Sequence, residues 1–149
     1  MGLRDQLMAD LKEAMRSGDE VRKSTIRMLR AAIVNAEKET GATELTEADI
    51  QRVIAQQAKQ RRDSIAEYKK AGRDDLAARE QAELDIVMEY LPRQLTEEEI
   101  EAAARAKIEE VGASSMAQIG DVMRPLMAEL GDRADGRLVN QIVRRLLSQ

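Results

Sequence analysis

Residues 46–92, TEADIQRVIAQQAKQRRDSIAEYKKAGRDDLAAREQAELDIVMEYLP, form the stretch of sequence that decides the fold. Apolar residues recur at helical spacing on both sides of Ala71-Gly72-Arg73. They are Ile50, Ile54, Ala58, Ile65 and Tyr68 before it, and Leu76, Leu84, Val87, Met88 and Leu91 after it. Gly72 is typical of the residue that follows a helix end, and Pro92 stops the second helix because it lacks an N–H. The stretch therefore predicts an antiparallel hairpin of two amphipathic helices.

Two charged residues interrupt the apolar stripes of this hairpin. Arg61 lies on the first stripe and Glu80 on the second, and a turn centred near Gly72 places Arg61 beside Glu83. A guanidinium on a packed stripe is costly unless it is paired. The pattern therefore predicts a structural ion pair of Arg61 with Glu80 or Glu83. The alternatives are an arginine that faces a ligand or RNA, and a side chain that reaches out to solvent.

The composition narrows the class of protein. Of 149 residues, 43% are hydrophobic and 35% are charged, which is typical of a soluble globular protein. Two tyrosines are the only aromatic residues, and only two prolines occur, so an all-α fold with an aliphatic core is expected. The chain has no cysteine and no histidine, which excludes disulfides, thiolate chemistry, histidine catalysis and the usual zinc sites. We expect no metal and no cofactor.

The compartment is predicted from what the sequence lacks. No apolar run approaches the ~18 residues of a membrane span, and residues 1–5 lack the apolar core of a signal peptide. The missing cysteines also fit a reducing environment. We therefore expect a cytoplasmic protein without membrane contact.

Five further helices are predicted outside the hairpin. With their caps they cover about residues 3–16, 19–40, 96–111, 114–130 and 135–147. Thr96 and Glu99 form a capping box, and Asp19, Thr46 and Asp135 are further candidate caps. The fold predicted is an N-terminal helical subdomain at residues 1–92, which contains the hairpin, followed by a small three-helix bundle at residues 93–149.

The buried faces of three of these helices are also predicted. The expected stripes are Leu3, Leu7, Met8, Leu11 and Met15 in the first helix; Val21, Thr25, Met28, Leu29, Ala32 and Ala36 in the second; and Met116, Ile119, Met123, Met127 and Leu130 in the sixth. Gly120 and Pro125 disturb the sixth helix, which is expected to kink at residues 121–122 or to form two short pieces.

Several short motifs resemble those of the YqeY family. They are KQRRDSI at residues 59–65, AGRDDL at 71–76, YLPRQL at 90–95, GDVM at 120–123 and ADGRLV at 134–139. The resemblance covers essentially the whole chain. That family shares its domain with the C-terminal tail of GatB, a subunit of the tRNA-dependent amidotransferase, a carbon–nitrogen ligase with glutamine as amido-N donor. The resemblance implies two all-helical subdomains and a role in contacting tRNA, and it brings no catalytic residue to this chain.

Charge and resemblance together select candidate tRNA-contacting residues. Arg133, Gly136 and Arg137 surround the turn before the last helix, where glycine lets a ligand approach and free N–H groups can hold a phosphate. Arg144 and Arg145 are weaker candidates. Residues 57–73 carry six basic and two acidic groups, and Lys59, Arg62, Lys69 and Lys70 form a second patch. The alternative for the turn is a helix cap with solvated arginines.

Three classes of function remain open. The first is a non-catalytic accessory module that binds tRNA through phosphates and shape, since two tyrosines cannot supply extensive base stacking. The second is a module that docks on an amidotransferase or an aminoacyl-tRNA synthetase without RNA contact; the acidic residues 74–111 suit a basic partner. The third is an independent enzyme, which the missing catalytic motifs disfavour.

Overall fold

The computed structural model describes residues 2–41 and 44–149, and these contain seven α-helices and no β-strand. The helices are α1 Leu3–Ser17, α2 Glu20–Thr40, α3 Glu47–Lys70, α4 Asp74–Met88, α5 Glu97–Val111, α6 Ile119–Leu130 and α7 Gly136–Leu147. Short 3₁₀ turns, Met116–Gln118 and Gly131–Arg133, stand immediately before and after α6. The all-α fold predicted from the sequence is confirmed.

The chain forms two compact units, Met1–Leu91 and Pro92–Gln149. In the first unit, α3 and α4 form the antiparallel hairpin, α2 packs on both of them, and α1 packs mainly on α2. Its core consists of Leu7, Leu11, Ile26, Leu29, Ile33, Ile50, Ile54, Ala58, Ile65, Ala77, Leu84, Ile86, Val87 and Tyr90. The stripes of the hairpin thus find their partners in α1 and α2.

The second unit is a bundle of α5, α6 and α7, each of which contacts the other two. Its core consists of Ile100, Ala104, Val122, Leu126, Leu130, Val139, Ile142, Val143 and Leu147. The capping box at the start of α5 is confirmed, because Thr96 Oγ1 accepts from Glu99 N at 3.1 Å and Glu99 Oε1 accepts from Thr96 N at 3.0 Å. This box fixes where the bundle begins.

The other helix ends also follow local chemistry. Side-chain oxygens of Asp19, Thr46 and Asp135 accept backbone N–H groups in the first turns of α2, α3 and α7, so the predicted caps are confirmed. Gly72 follows Ala71, the C-cap residue of α3, and has a φ of +72°. This is a left-handed conformation that favours glycine. Local sequence therefore sets the boundaries of the hairpin.

The buried faces predicted for α1 and α2 were wrong in part, because they included methionines that are exposed in the structure. Met8, Met15, Val21 and Met28 are exposed, whereas Ala14, Ile26 and Ile33 are buried. The buried positions of these helices carry small or branched side chains, whereas the flexible methionines are exposed. Apolar spacing alone does not distinguish the centre of a stripe from its flank.

The sixth helix differs from its prediction in two respects. Val122, Leu126 and Leu130 are buried, while Met116, Ile119, Met123 and Met127 are only partly so. The α-helix also continues through Pro125, and the change of helix type occurs at Gln118–Ile119, not at residues 121–122. Pro125 removes one donor to the carbonyl of Asp121, and that residue is exposed, so water can reach the carbonyl.

Candidate nucleic-acid interface

Four cationic side chains lie on one face of α3. At 100° per residue, Lys59, Arg62, Lys69 and Lys70 fall within an arc of about 100°. The core residues of α3, with Arg61 among them, occupy the adjoining arc of the helix. We call these four residues the α3 basic stripe. Their arrangement follows from the helix itself and requires no further element.

The four cations of the α3 basic stripe differ in their contacts with other residues. Lys59 and Lys69 are exposed, and neither has a hydrogen-bond or ion-pair partner among the described residues. Lys70 Nζ lies 3.8 Å from a carboxylate oxygen of Glu67, with both side chains largely in solvent. Arg62 is half-buried, and its Nη2 lies 3.3 Å from Met88 Sδ. Two ammonium groups of the stripe are therefore available to an external anion.

The side chain of Arg133 contacts the C-terminal end of α6. Its Nε donates to the carbonyl of Leu130 at 3.2 Å, and its Nη2 donates to that of Glu129 at 3.1 Å. These carbonyls belong to the last turn of α6, where a cation also meets the negative end of the helix dipole. The guanidinium predicted for a phosphate thus closes the C-terminus of α6 in this structure.

The start of α7 already holds a carboxylate. Asp135 Oδ1 accepts from Arg137 N at 3.3 Å, so an anion at this helix end would compete with the cap. Gly136 does not have a positive φ. A Cβ added to Gly136 would meet Met127 Cε at 3.7 Å, an ordinary van der Waals contact. The backbone therefore does not require glycine here, and Arg133 and Arg137 are both exposed.

Arg144 and Arg145 both have acceptors within the bundle. Arg144 Nε donates to Asn140 Oδ1 at 2.7 Å, one turn earlier in α7. Arg145 Nη2 lies 3.2 Å from a carboxylate oxygen of Glu101 in α5. Both side chains are exposed, so these contacts screen their charge without removing them from the surface.

Arg61 lies at the seam between α3 and α4, away from the basic stripe. Its Nη1 donates to Glu80 at 3.2 Å and to Glu83 at 2.5 Å, and its side chain is only 6% exposed. The Nε atom of Arg61 is buried without a hydrogen-bond partner among the described residues. Arg61 therefore joins the two helices of the hairpin and is not positioned to contact RNA.

Gln94 holds the turn before α7, and sequence reasoning did not assign it a role. Its amide nitrogen donates to the carbonyls of Pro92 and Asp132, both at 2.9 Å. The adjacent Leu95 N donates to the carbonyl of Arg133 at 2.8 Å. An amide side chain two residues after proline was the available signal, since it can satisfy carbonyls that no helix ladder reaches.

Neither a metal site nor a membrane helix is found in the part of the chain that the structure describes. No group of three or more Asp or Glu side chains there could hold a metal ion. None of the described helices combines the length and the apolar character that crossing a bilayer requires.

Residues 4–147 match the family described as Yqey-like protein. The chain belongs to the YqeY family. Curated relatives of this YqeY-family protein are named "Altered inheritance of mitochondria protein 41, mitochondrial". The protein of Lachancea thermotolerans is 37% identical over 99 residues, which cover 66% of this chain and 53% of the relative. That of Saccharomyces cerevisiae strain YJM789 is 35% identical over 101 residues, which cover 68% and 55%.

A third relative, from Pyrenophora tritici-repentis, is 41% identical over 85 residues, which cover 57% of this YqeY-family chain and 46% of the relative. The chain spans about half the length of the curated relatives it matches. Their names contradict the cytoplasmic localisation expected from the sequence and point to mitochondria instead. Missing cysteines and a missing apolar segment do not identify one compartment, which is why that expectation was wrong.

Proposed function

We propose that this YqeY-family protein is a non-catalytic accessory module that binds tRNA, in association with a tRNA-dependent amidotransferase. The RNA contact is supported by the ammonium groups of Lys59 and Lys69 in the α3 basic stripe. Both are exposed, and neither has a partner among the described residues. Ten residues separate them, or about 15 Å along the helix, so they reach different phosphates. Each phosphate contact releases condensed counterions and favours binding.

The placement of the two tyrosines supports a mode of binding that does not read bases. Tyr90 is buried, and its hydroxyl donates to Asp10 at 2.5 Å. Tyr68 packs against the core of the first unit. Tyr68 is thus only partly exposed, Tyr90 cannot stack on a nucleotide, and the chain has no other aromatic residue. Contacts to phosphates and to helix shape therefore carry the proposed binding, and sequence preference is low.

The test is a titration of tRNA with the wild type and two double variants at about 50 and 200 mM salt. Lys59→Ala/Lys69→Ala removes the unpaired charges of the stripe. Lys12→Ala/Lys38→Ala removes two exposed lysines of α1 and α2 and is the matched control. The slope of log affinity against log salt should decrease by about 2 in the first variant and stay unchanged in the control. Equal affinity of the two double variants contradicts the proposal.

Exposed carboxylates favour a second candidate, docking on a protein. Glu97 and Glu98 are exposed, and neither has an ion-pair partner among the described residues. They suit the basic surface of an amidotransferase or an aminoacyl-tRNA synthetase. Failure of the wild type to bind tRNA, together with capture of such an enzyme, favours this function over RNA binding.

A further inference from the structure

Two consecutive arginines of α3 contact methionine sulfurs. Arg61 Nη2 lies 3.5 Å from Met28 Sδ in α2, and Arg62 Nη2 lies 3.3 Å from Met88 Sδ in α4. Met88 is half-buried, whereas Met28 is 47% exposed. Met28 is thus a thioether that contacts a buried cation and is also open to solvent.

The guanidinium of Arg61 lacks a strong acceptor on the side that faces Met28. Both of its carboxylate partners, Glu80 and Glu83, lie on Nη1. A thioether is a weak acceptor, so Nη2 is poorly satisfied by Met28. Buried donors without good acceptors destabilise a fold. An added oxygen atom at the Met28 sulfur would supply the acceptor that this site lacks.

We propose that Met28 is a site of reversible oxidation by hydroperoxides, with hydrogen peroxide as the simplest, and that Arg61 holds the product. The sulfur lone pair attacks one peroxide oxygen, an S–O bond forms and the O–O bond breaks. Sulfur is oxidised by two electrons, and the departing oxygen takes up the proton of the transferred hydroxyl to leave as an alcohol, or as water when the oxidant is hydrogen peroxide. The sulfoxide oxygen then accepts a charge-assisted hydrogen bond from Arg61 Nη2. Methionine sulfoxide reductases restore the thioether: two thiols supply the electrons and become a disulfide, and the oxygen leaves as water.

Oxidation at Met28 strengthens the contact between α2 and α3. A sulfoxide ordinarily weakens an apolar contact because it places a polar group there. At Met28 it replaces a weak acceptor with a strong one against a cation that is already buried. Met15 is the natural comparison in the same unit, since it is 54% exposed and has no polar contact among the described residues.

Substitutions test the acceptor without any oxidant. Met28→Gln places an amide oxygen near Arg61, whereas Met28→Leu keeps an apolar side chain of similar size. The Tm of Met28→Gln should exceed that of Met28→Leu by about 4 °C. Met15→Gln and Met15→Leu are the control pair, in which glutamine should have no advantage. A Met28→Leu variant as stable as Met28→Gln, or more stable, overturns the proposal.

Peroxide treatment tests the modification itself. The starting protein carries Met8→Leu and Met15→Leu, which remove two other exposed thioethers of the first unit. Peptide mass spectrometry follows the sulfoxide at residue 28, and thermal unfolding is measured on the same samples. The Tm should rise as Met28 sulfoxide accumulates, and a sulfoxide reductase should reverse the change. A Tm that stays unchanged or falls as Met28 is oxidised contradicts the role of Arg61, and a Met28 that resists peroxide contradicts the site.

Discussion

The Nη1 atom of Arg61 lies 2.5 Å from the carboxylate of Glu83 and 3.2 Å from that of Glu80. The residues are 22 and 19 positions apart in the sequence and meet because α3 and α4 are antiparallel. One buried guanidinium thus neutralises carboxylates from two successive turns of α4. Since the charges are withdrawn from water, the cost of breaking the group exceeds the value of a surface pair.

Arg61→Ala should lower the free energy of unfolding by about 3 kcal/mol, because it leaves two carboxylates at a packed seam without their cation. Chemical denaturation of the two proteins measures the change. Arg52→Ala is the matched control in the same helix, since Arg52 pairs with Asp49 at 2.8 Å on the surface. That control should change stability by less than about 1 kcal/mol. An unchanged denaturation midpoint in Arg61→Ala contradicts the structural role.

The carboxyl of Glu99 should titrate far below an ordinary glutamate. The side-chain hydrogen bonds from Arg93, followed by the backbone N–H of Thr96, lower its pKa to about 2. Because the folded-state pKa is depressed, the stabilisation by this carboxylate is present above the ordinary value of 4.5 and is lost as the pH falls toward 2. Carboxylate chemical shifts measured by NMR from about pH 1.5 to about pH 6 report the midpoint.

Arg93→Ala should raise the pKa of Glu99, since Arg93 is its principal partner, with contacts of 2.9 and 3.0 Å. The same NMR titration detects the change. Arg105→Ala is the control, because Arg105 pairs with Glu101 in the same helix and does not contact Glu99. A Glu99 midpoint that is the same in both variants would show that Arg93 does not govern its protonation.

Gln94→Ala should loosen the turn before α7. It removes two hydrogen bonds of 2.9 Å, including the one to the carbonyl of Asp132. The N–H of Leu95, which donates to Arg133, should exchange with solvent about tenfold faster, as expected for the loss of roughly 1.4 kcal/mol. Hydrogen exchange followed by NMR measures this. Gln81→Ala removes an exposed side-chain bond in the first unit and should leave Leu95 unchanged.

Arg133→Ala/Arg137→Ala should weaken tRNA binding less than Lys59→Ala/Lys69→Ala does. Arg133 already donates to two carbonyls of α6, so it has fewer donors left for a phosphate. Parallel titrations at one low salt concentration give the comparison. A larger loss of affinity in the arginine variant would move the proposed tRNA surface from α3 to the turn before α7.

The candidate site was predictable from the sequence only where a single helix carries it. Lys59 and Lys69 share a face because helical periodicity puts them there. The contacts of Arg133 are local too, since the carbonyls lie three and four residues earlier, and they agree with the helix cap that was the alternative for this turn. Gln94 was missed because its partner Asp132 is 38 residues away in the sequence.

Helix boundaries were determined by the sequence itself, because Asp19, Thr46, Thr96 and Gly72 act on N–H and C=O groups within a few residues of themselves. Tertiary structure alone decided which flank of each apolar stripe is buried. Met28 lies in α2 at helical spacing from buried residues, yet it is exposed and contacts Arg61 of α3. Burial depends on how closely two backbones approach, and that distance is set by the side chains of both helices together.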